Sequence, residues 1–224
     1  MAALLVLQRQ PLREQEWLLD ILTDTAGRLS VVASGRIEPQ LLHVYSGFWA
    51  SADDWPRLRA LELTGALQPE GQNLYCALYL TELLTRLVPK GEPLPALFAA
   101  FCDTLRGLQG AGLPDPWLRL FEMRLLSALG YGFSWQSDCA GQPIDEDVLY
   151  LFKAREGFVR ESGRVSAAGQ GRLLRGQDIR RFAQGQADVS GFACAKRVLR
   201  IAIDDLLDKP LVSRELFQAL PEQH

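Results

Sequence analysis

Histidine is nearly missing from this 224-residue chain: His43 and His224 are the only two, and no GxSxG, P-loop or GxGxxG pattern accompanies them. Neither a nucleophile with its base nor a phosphate-cradling loop is signalled, so a binding protein rather than an enzyme is expected. Cysteine is equally thin. Cys76, Cys102, Cys139 and Cys194 lie far apart with no CxxC pair. Cys76 and Cys102 fall in apolar helical patterns, so buried free thiols are expected, with no structural zinc and no other cofactor. Acids cluster at Asp53 with Asp54, at Asp145 to Asp147 and at Asp204 with Asp205; such groups could hold a hard cation, but adjacent acids on loops and helix surfaces are usually just solvated. No apolar run approaches the roughly 20 residues that span a bilayer. The opening MAALLVLQRQ has neither a basic stretch before its apolar patch nor a small-residue cleavage site. That argues against a secretory signal and for a soluble cytoplasmic protein without membrane contact.

What is present is a packable core and an uneven charge. Hydrophobic residues make up 48% of the chain, enough for one large domain or two small ones. The net charge is only −3, yet residues 151–203 hold eleven bases (Lys153, Arg155, Arg160, Arg164, Arg172, Arg175, Arg180, Arg181, Lys196, Arg197, Arg200) against four acids (Glu156, Glu161, Asp178, Asp188). A basic face on an acidic body suits a protein that meets phosphates or an acidic peptide on one surface. The competing reading is that these cations are solvated or paired with acids elsewhere in the fold. Residues 1–68 carry six arginines (Arg9, Arg13, Arg28, Arg36, Arg57, Arg59) and eight acids, beside Trp17, Tyr45, Phe48, Trp49 and Trp55. Base stacking would want those aromatics exposed, and long-range attraction would want the arginines on one face.

The periodicity of the pattern changes near residue 68. Before it, ALLVLQRQ, EWLLDILT and RLSVVAS read as strands separated by Pro11 and by a turn at Thr25, Ala26 and Gly27. The first alternates so poorly that burial on both sides is expected for half its length. RLRALEL at residues 57–63 alternates cleanly, with Leu58, Ala60 and Glu62 on one face and Arg59, Leu61 and Leu63 on the other. Beyond Pro69, leucine and phenylalanine recur at helical spacing in three stretches, 74–87, 94–108 and 117–129. Residues 133–172 break that pattern with glycines and a hairpin of LYLF and GFVR, and Asp178 lies near a short helix. The expected fold is α+β: a small β-barrel over 1–68, then a helical domain over 69–224 with an irregular insertion at about 133–172.

The most informative stretch is AKRVLRIAIDDLLDKPLVSRELF, residues 195–217. Lys196, Arg197 and Arg200 fall within little more than one helical turn, while Val198, Leu199, Ile201, Ala202, Leu206 and Leu207 supply an apolar side. Pro210 is expected to stop that helix and Ser213 to cap the next. This segment, RLFEMRLLSALGYG at 119–132, EWLLDILTDTAGRLSVVASG at 16–35 and LYCALYLTELLTRL at 74–87 together resemble the bacterial RecO family. The resemblance implies an OB-fold for the barrel and a non-enzymatic mediator that helps load RecA on single-stranded DNA coated by SSB, with RecR as a further partner and a nucleoid-associated location. It implies DNA contact by Lys196, Arg197 and Arg200, with Arg36 secondary. It also implies that Arg119, flanked by Leu118 and Phe121, grips the acidic, apolar-ended tail of SSB, although Arg119 could equally pair with Glu122 or Asp115 on its own helix. Two departures stand out. The loop after the third strand, SGRIEPQLLHVYSG, has Arg36 as its sole cation where relatives carry a basic loop, and of the four zinc-binding cysteines of some relatives only Cys139 remains. These favour, as an alternative, a protein-interaction adaptor of the same fold with little DNA binding.

Overall fold

A computed structural model of the chain describes residues 1–35, 39–50, 55–161 and 173–218. It divides into two compact units, residues 1–118 with 209–224, and residues 119–208. The helices between residues 69 and 118 therefore share a unit with the barrel.

The first unit is built on five strands, β1 (Ala2–Arg13), β2 (Glu16–Thr23), β3 (Gly27–Ser34), β4 (His43–Ala50) and β5 (Arg57–Ala66), which close into a barrel in the order β1-β2-β3-β5-β4. This is an OB-like barrel, and the fold is α+β as expected. Leu4, Val6, Leu19, Ile21, Val31, Ala33 and Tyr45 fill its interior, with Trp17, Leu29, Leu41, Trp49, Leu58 and Leu61 packed around them. Leu5 and Leu22 on the opposite faces of β1 and β2 are also fully buried, because α1 packs against β1 and α2 against β2.

Three readings of the barrel sequence are corrected. HVYSG, expected as the end of a loop, instead opens β4, which runs on through Ala50; its alternation is masked by Ser46 and Gly47. Pro11 does not end β1 but pairs with Trp17, where β1 has only β2 beside it and the missing proline N–H leaves no gap in a ladder. A register shift opposite Phe48 and Trp49 leaves Arg59 out of the pairing, so Leu58 and Leu61, three apart, both turn to the core and Leu63 is exposed.

The barrel wall is thin where β3 and β5 meet, sharing only the Val32–Arg57 pair and a hydrogen bond from Val32 N to Pro56 O of 2.8 Å. Residues 88–92 seal β3's free edge. Gly91 N donates to Arg28 O (2.8 Å), Lys90 Nζ to Ser30 Oγ (2.6 Å), and Arg28 spans from Asp20 (Nη2 to Oδ2, 2.7 Å) to the Val88 carbonyl (2.8 Å). Gly27, with φ at 69°, lets this strap approach; a Cβ there would collide with the Glu92 carbonyl.

Helices α1 (Gln72–Leu87) and α2 (Pro95–Leu108) lie in the same unit, and α3 (Asp115–Ala128) crosses from one unit to the next. α1 buries Cys76, Ala77, Leu80, Leu83 and Leu84, and its chain leaves the helix at Val88, before Pro89. The last helix, α6 (Val212–Gln218), returns to α1. Ser213 lies inside it rather than capping it. The cap comes from Glu82 of α1, whose carboxylate accepts from Val212 N (3.0 Å), Ser213 N (2.8 Å) and Ser213 Oγ (2.6 Å). Burial opposes ionisation of Glu82, but these donors and the charge of Arg86 outweigh it and hold its pKa below the ordinary value.

The second unit holds a three-stranded sheet in the order β7-β6-β8, from β6 (Leu149–Lys153), β7 (Gly157–Arg160) and β8 (Leu174–Arg175), with α4 (Gly176–Ala183) and α5 (Val189–Asp204). LYLF and GFVR form the hairpin, in register Tyr150–Arg160 to Lys153–Gly157. Its core is aromatic: Phe133, Trp135, Phe152 and Phe158 lie with ring centroids 4.6 to 6.0 Å apart, and Phe182 extends the cluster at 4.5 Å from Trp135. Cys76, Cys102 and Cys194 are buried and Cys139 is exposed, all as free thiols.

Candidate nucleic-acid interface

The helix carrying the basic triplet starts six residues before Ala195. Asp188 caps it, accepting from Gly191 N (2.9 Å) and Ser190 Oγ (2.8 Å), and those donors keep the Asp188 carboxyl below its usual pKa. It stops at Asp204, well short of Pro210, because Leu206 N and Leu207 N turn back to Ile203 O and Asp204 O in a tightened last turn. Gly191, Cys194, Ala195, Val198, Leu199, Ala202 and Ile203 face inward, and burial pushes the Cys194 thiol up to about 12. Lys196, Arg197 and Arg200 stand together on the solvent face, joined by Ile201, which the apolar pattern assigns to the buried side but which is 41% exposed. The buried stripe does not reach Ile201 once the helix axis is fixed by its neighbours.

The expected single patch of positive charge is broken up by carboxylates. Arg200 Nε lies 3.6 Å from Asp204, Arg155 Nε 2.9 Å from Asp205, Arg181 Nη1 2.7 Å from Asp188 and Arg180 Nη1 3.1 Å from Glu146. Arg160 sits 3.9 Å from both Asp138 and Asp145, and Lys153 2.9 Å from Glu156. Asp138, Asp145, Glu146, Asp204 and Asp205 all fall outside residues 151–203. A charge count over that window includes the arginines and misses these partners, which the fold supplies. Arg197 donates to the Leu173 carbonyl at 3.2 Å, and Lys196 has no ion pair among the described residues. Arg164, Arg172 and Arg36, the secondary DNA candidate, lie outside the described residues, as do Asp53, Asp54 and His224.

The barrel's aromatic residues divide. Tyr45 is buried with its hydroxyl accepting from Gln40 N (2.8 Å), Trp49 and Trp17 pack on the core, and only Phe48 (53% exposed) and Trp55 (41%) are open for stacking. Its arginines are largely engaged: Arg9 over the Trp17 ring at 5.1 Å, Arg28 with Asp20, and Arg57 with Glu16 at 2.8 Å.

On α3, Leu118, Arg119 and Phe121 are all buried. Arg119 Nη2 lies 3.2 Å from Glu122 Oε1, while Arg119 Nε is buried without an acceptor among the described residues. Met123, Leu126 and Ser127, on the same helix face as Arg119, join Gly132, Phe133, Ser134 and Trp135 around a cleft of about 450 Å³. Burial raises the thiol of Cys102 to about 11, so it has no thiolate to offer. Among the described residues no three metal-ligating side chains converge, and no helix is long and apolar enough to cross a membrane.

A family model described as "Recombination protein O C terminal" matches residues 68–215. Among the described residues that span takes in α1 to α5 and the start of α6. The chain belongs to the RecO family. A "DNA repair protein RecO" from Vibrio parahaemolyticus is 33% identical over 96% of this chain and 92% of its own length. Those from Haemophilus influenzae and Nitrosococcus oceani are each 35% identical, covering 95% and 96% of this chain and 93% and 91% of their own. The RecO resemblance carried by four short motifs thus extends over nearly the whole chain.

Proposed function

We propose that this RecO-family protein works in DNA repair and recombination without bond chemistry of its own. It binds single-stranded DNA and the tail of SSB, joins RecR, and thereby lets RecA nucleate or complementary strands anneal. The observation that carries this reading is the solvent face of α5, where Lys196, Arg197 and Arg200 project together from a helix whose other side is fully packed. Such a face follows a phosphate backbone without reading sequence, and its affinity falls steeply with salt. A cytoplasmic, nucleoid-associated location and a functional division at residue 68, between barrel and helices, belong to the same reading.

For the SSB tail, the supporting features are the unused Nε of Arg119 and the cleft lined by Met123, Leu126 and Ser127 further along the same helix face. An acidic peptide ending in apolar residues needs that pairing of a guanidinium and an apolar slot, with Leu118 and Phe121 holding the arginine in place. Titration with an SSB-tail peptide tests it: Arg119→Ala is expected to weaken binding at least about tenfold, in line with a charge-assisted hydrogen bond. An unchanged Kd would move the tail elsewhere.

For DNA, replacing Lys196, Arg197 and Arg200 together by alanine should weaken binding to oligothymidylate and flatten the salt dependence, by about one unit of slope for each phosphate no longer neutralised. The second reading, a protein adaptor of the same fold, is favoured by the carboxylates that face six of the basic residues between 151 and 203. A response near background at low salt would select it.

A further inference from the structure

The end of α5 breaks a local rule. Backbone carbonyls at a helix C-terminus concentrate negative charge, so cations belong in the last turn; here that turn has none, and Asp204 and Asp205 occupy its end. The helix dipole disfavours two acids there. What they touch is cationic: Asp204 lies 3.6 Å from Arg200 of the basic face, and Asp205 accepts from Arg155 Nε at 2.9 Å, raising the Arg155 pKa through that hydrogen bond and the aspartate's charge. All four side chains are exposed enough for a ligand to reach, with Arg155 at 77% and Arg200 at 56%. Acids set against the helix dipole and placed beside cations are a local conflict that the tertiary arrangement offsets.

We propose that Asp204 and Asp205 act as an internal counter-charge on the polyanion site, holding Arg200 and Arg155 and setting the affinity for single-stranded nucleic acid below what the arginines alone would give. The inference rests on the DNA reading above. A phosphate that engages either guanidinium meets a carboxylate already beside it, so its attraction to the cation is offset by competition with and repulsion from that acid, and its net gain is reduced. The pairs also release the arginines readily, because exposed ion pairs reform quickly and are screened by salt. A protein that passes a strand onward benefits from a grip limited in this way.

The test compares the intact chain with Asp204→Asn/Asp205→Asn in titrations of labelled oligothymidylate at about 50 mM and about 200 mM salt. The double variant is expected to bind about three- to tenfold tighter at the lower salt, with the gain shrinking at the higher, and each single substitution should give part of it. Adding Arg155→Gln and Arg200→Gln should abolish the gain. As a control, Glu70→Gln/Asp103→Asn removes two exposed acids of the other unit, one of them ion-paired with Arg106. Equal tightening in that control, or a gain surviving the arginine substitutions, overturns the proposal in favour of net charge alone. Equal affinity of wild type and double variant, with both binding, overturns it while leaving the DNA reading intact. No binding by either protein sinks both. Melting curves should show the asparagine variants no less stable than the parent, since they relieve unfavourable charge at the helix end.

Discussion

In the barrel the interior is mostly aliphatic, with Leu4, Val6, Leu19, Ile21 and Val31 beside Tyr45, whereas the short sheet of the unit of residues 119–208 is packed with rings: Trp135, Tyr150, Phe152 and Phe158. The difference follows from strand length. Barrel strands of eight to twelve residues close on themselves and bury many small increments, but strands of five, four and two residues offer few inward positions. Each must then bury more, and an aromatic ring removes roughly 150 to 250 Å² from water at a single position. Arginine is used differently as well. Arg28 is inside the barrel's structure, only 12% exposed and tied to Asp20 and a carbonyl, while Arg155, Arg160, Arg180, Arg181 and Arg200 of the second unit stand 41 to 77% exposed against acids. One set braces; the other is available for exchange.

The largest break in this contrast should come from Phe158→Ala, which empties the centre of the ring cluster. A loss of about 3 to 5 kcal/mol is expected, read as early loss of near-ultraviolet dichroism on urea titration; a cost below about 1 kcal/mol would mean that the cluster is not the core of its unit. Next is Arg28→Ala, which strands a part-buried Asp20 and the Val88 carbonyl. About 2 to 3 kcal/mol should be lost, with faster hydrogen exchange in residues 27–34 and 88–92 as the checking measurement.

Glu82→Ala should cost about 1 to 3 kcal/mol by removing the cap of α6, and it carries a pH signature. A carboxylate whose folded pKa lies below its ordinary 4.5 stabilises fully above that value, and the contribution disappears as pH falls through the lowered folded pKa. The gap between wild type and variant in thermal melts should therefore be constant near neutrality and close in acid. A gap that widens on acidification contradicts the assignment. The smallest effect belongs to Arg181→Ala: its pair with Asp188 is short but 42% and 50% exposed, so a change within about 0.5 kcal/mol is expected. A larger loss would place the second unit's cations with Arg28 as braces.

Helical periodicity marks α1, α2 and α3 at close to their true limits, because each buries one stripe against a neighbour and the pattern shows it. The barrel is legible as a class and less so in detail. β4 is hidden by its Ser46–Gly47 interruption, and the bulge at Arg59 reverses the faces of β5, since a single unpaired residue exchanges inside for outside. The basic helix is visible from its spacing, and its true start lies with an Asp188 cap that no apolar pattern announces.

Local chemistry along the chain settled which segments become helix or strand, where the cations lie, and that their bearer is one of the RecO proteins, because backbone propensity, alternation and motif order act over a few residues at a time. Which cations remain open to a ligand was decided only by folding. Arg155 meets Asp205 across 50 residues, and Ser213 meets Glu82 across 131. Charge pairing depends on distance in space, and distance in space is set by the packing of the cores that bring those segments together.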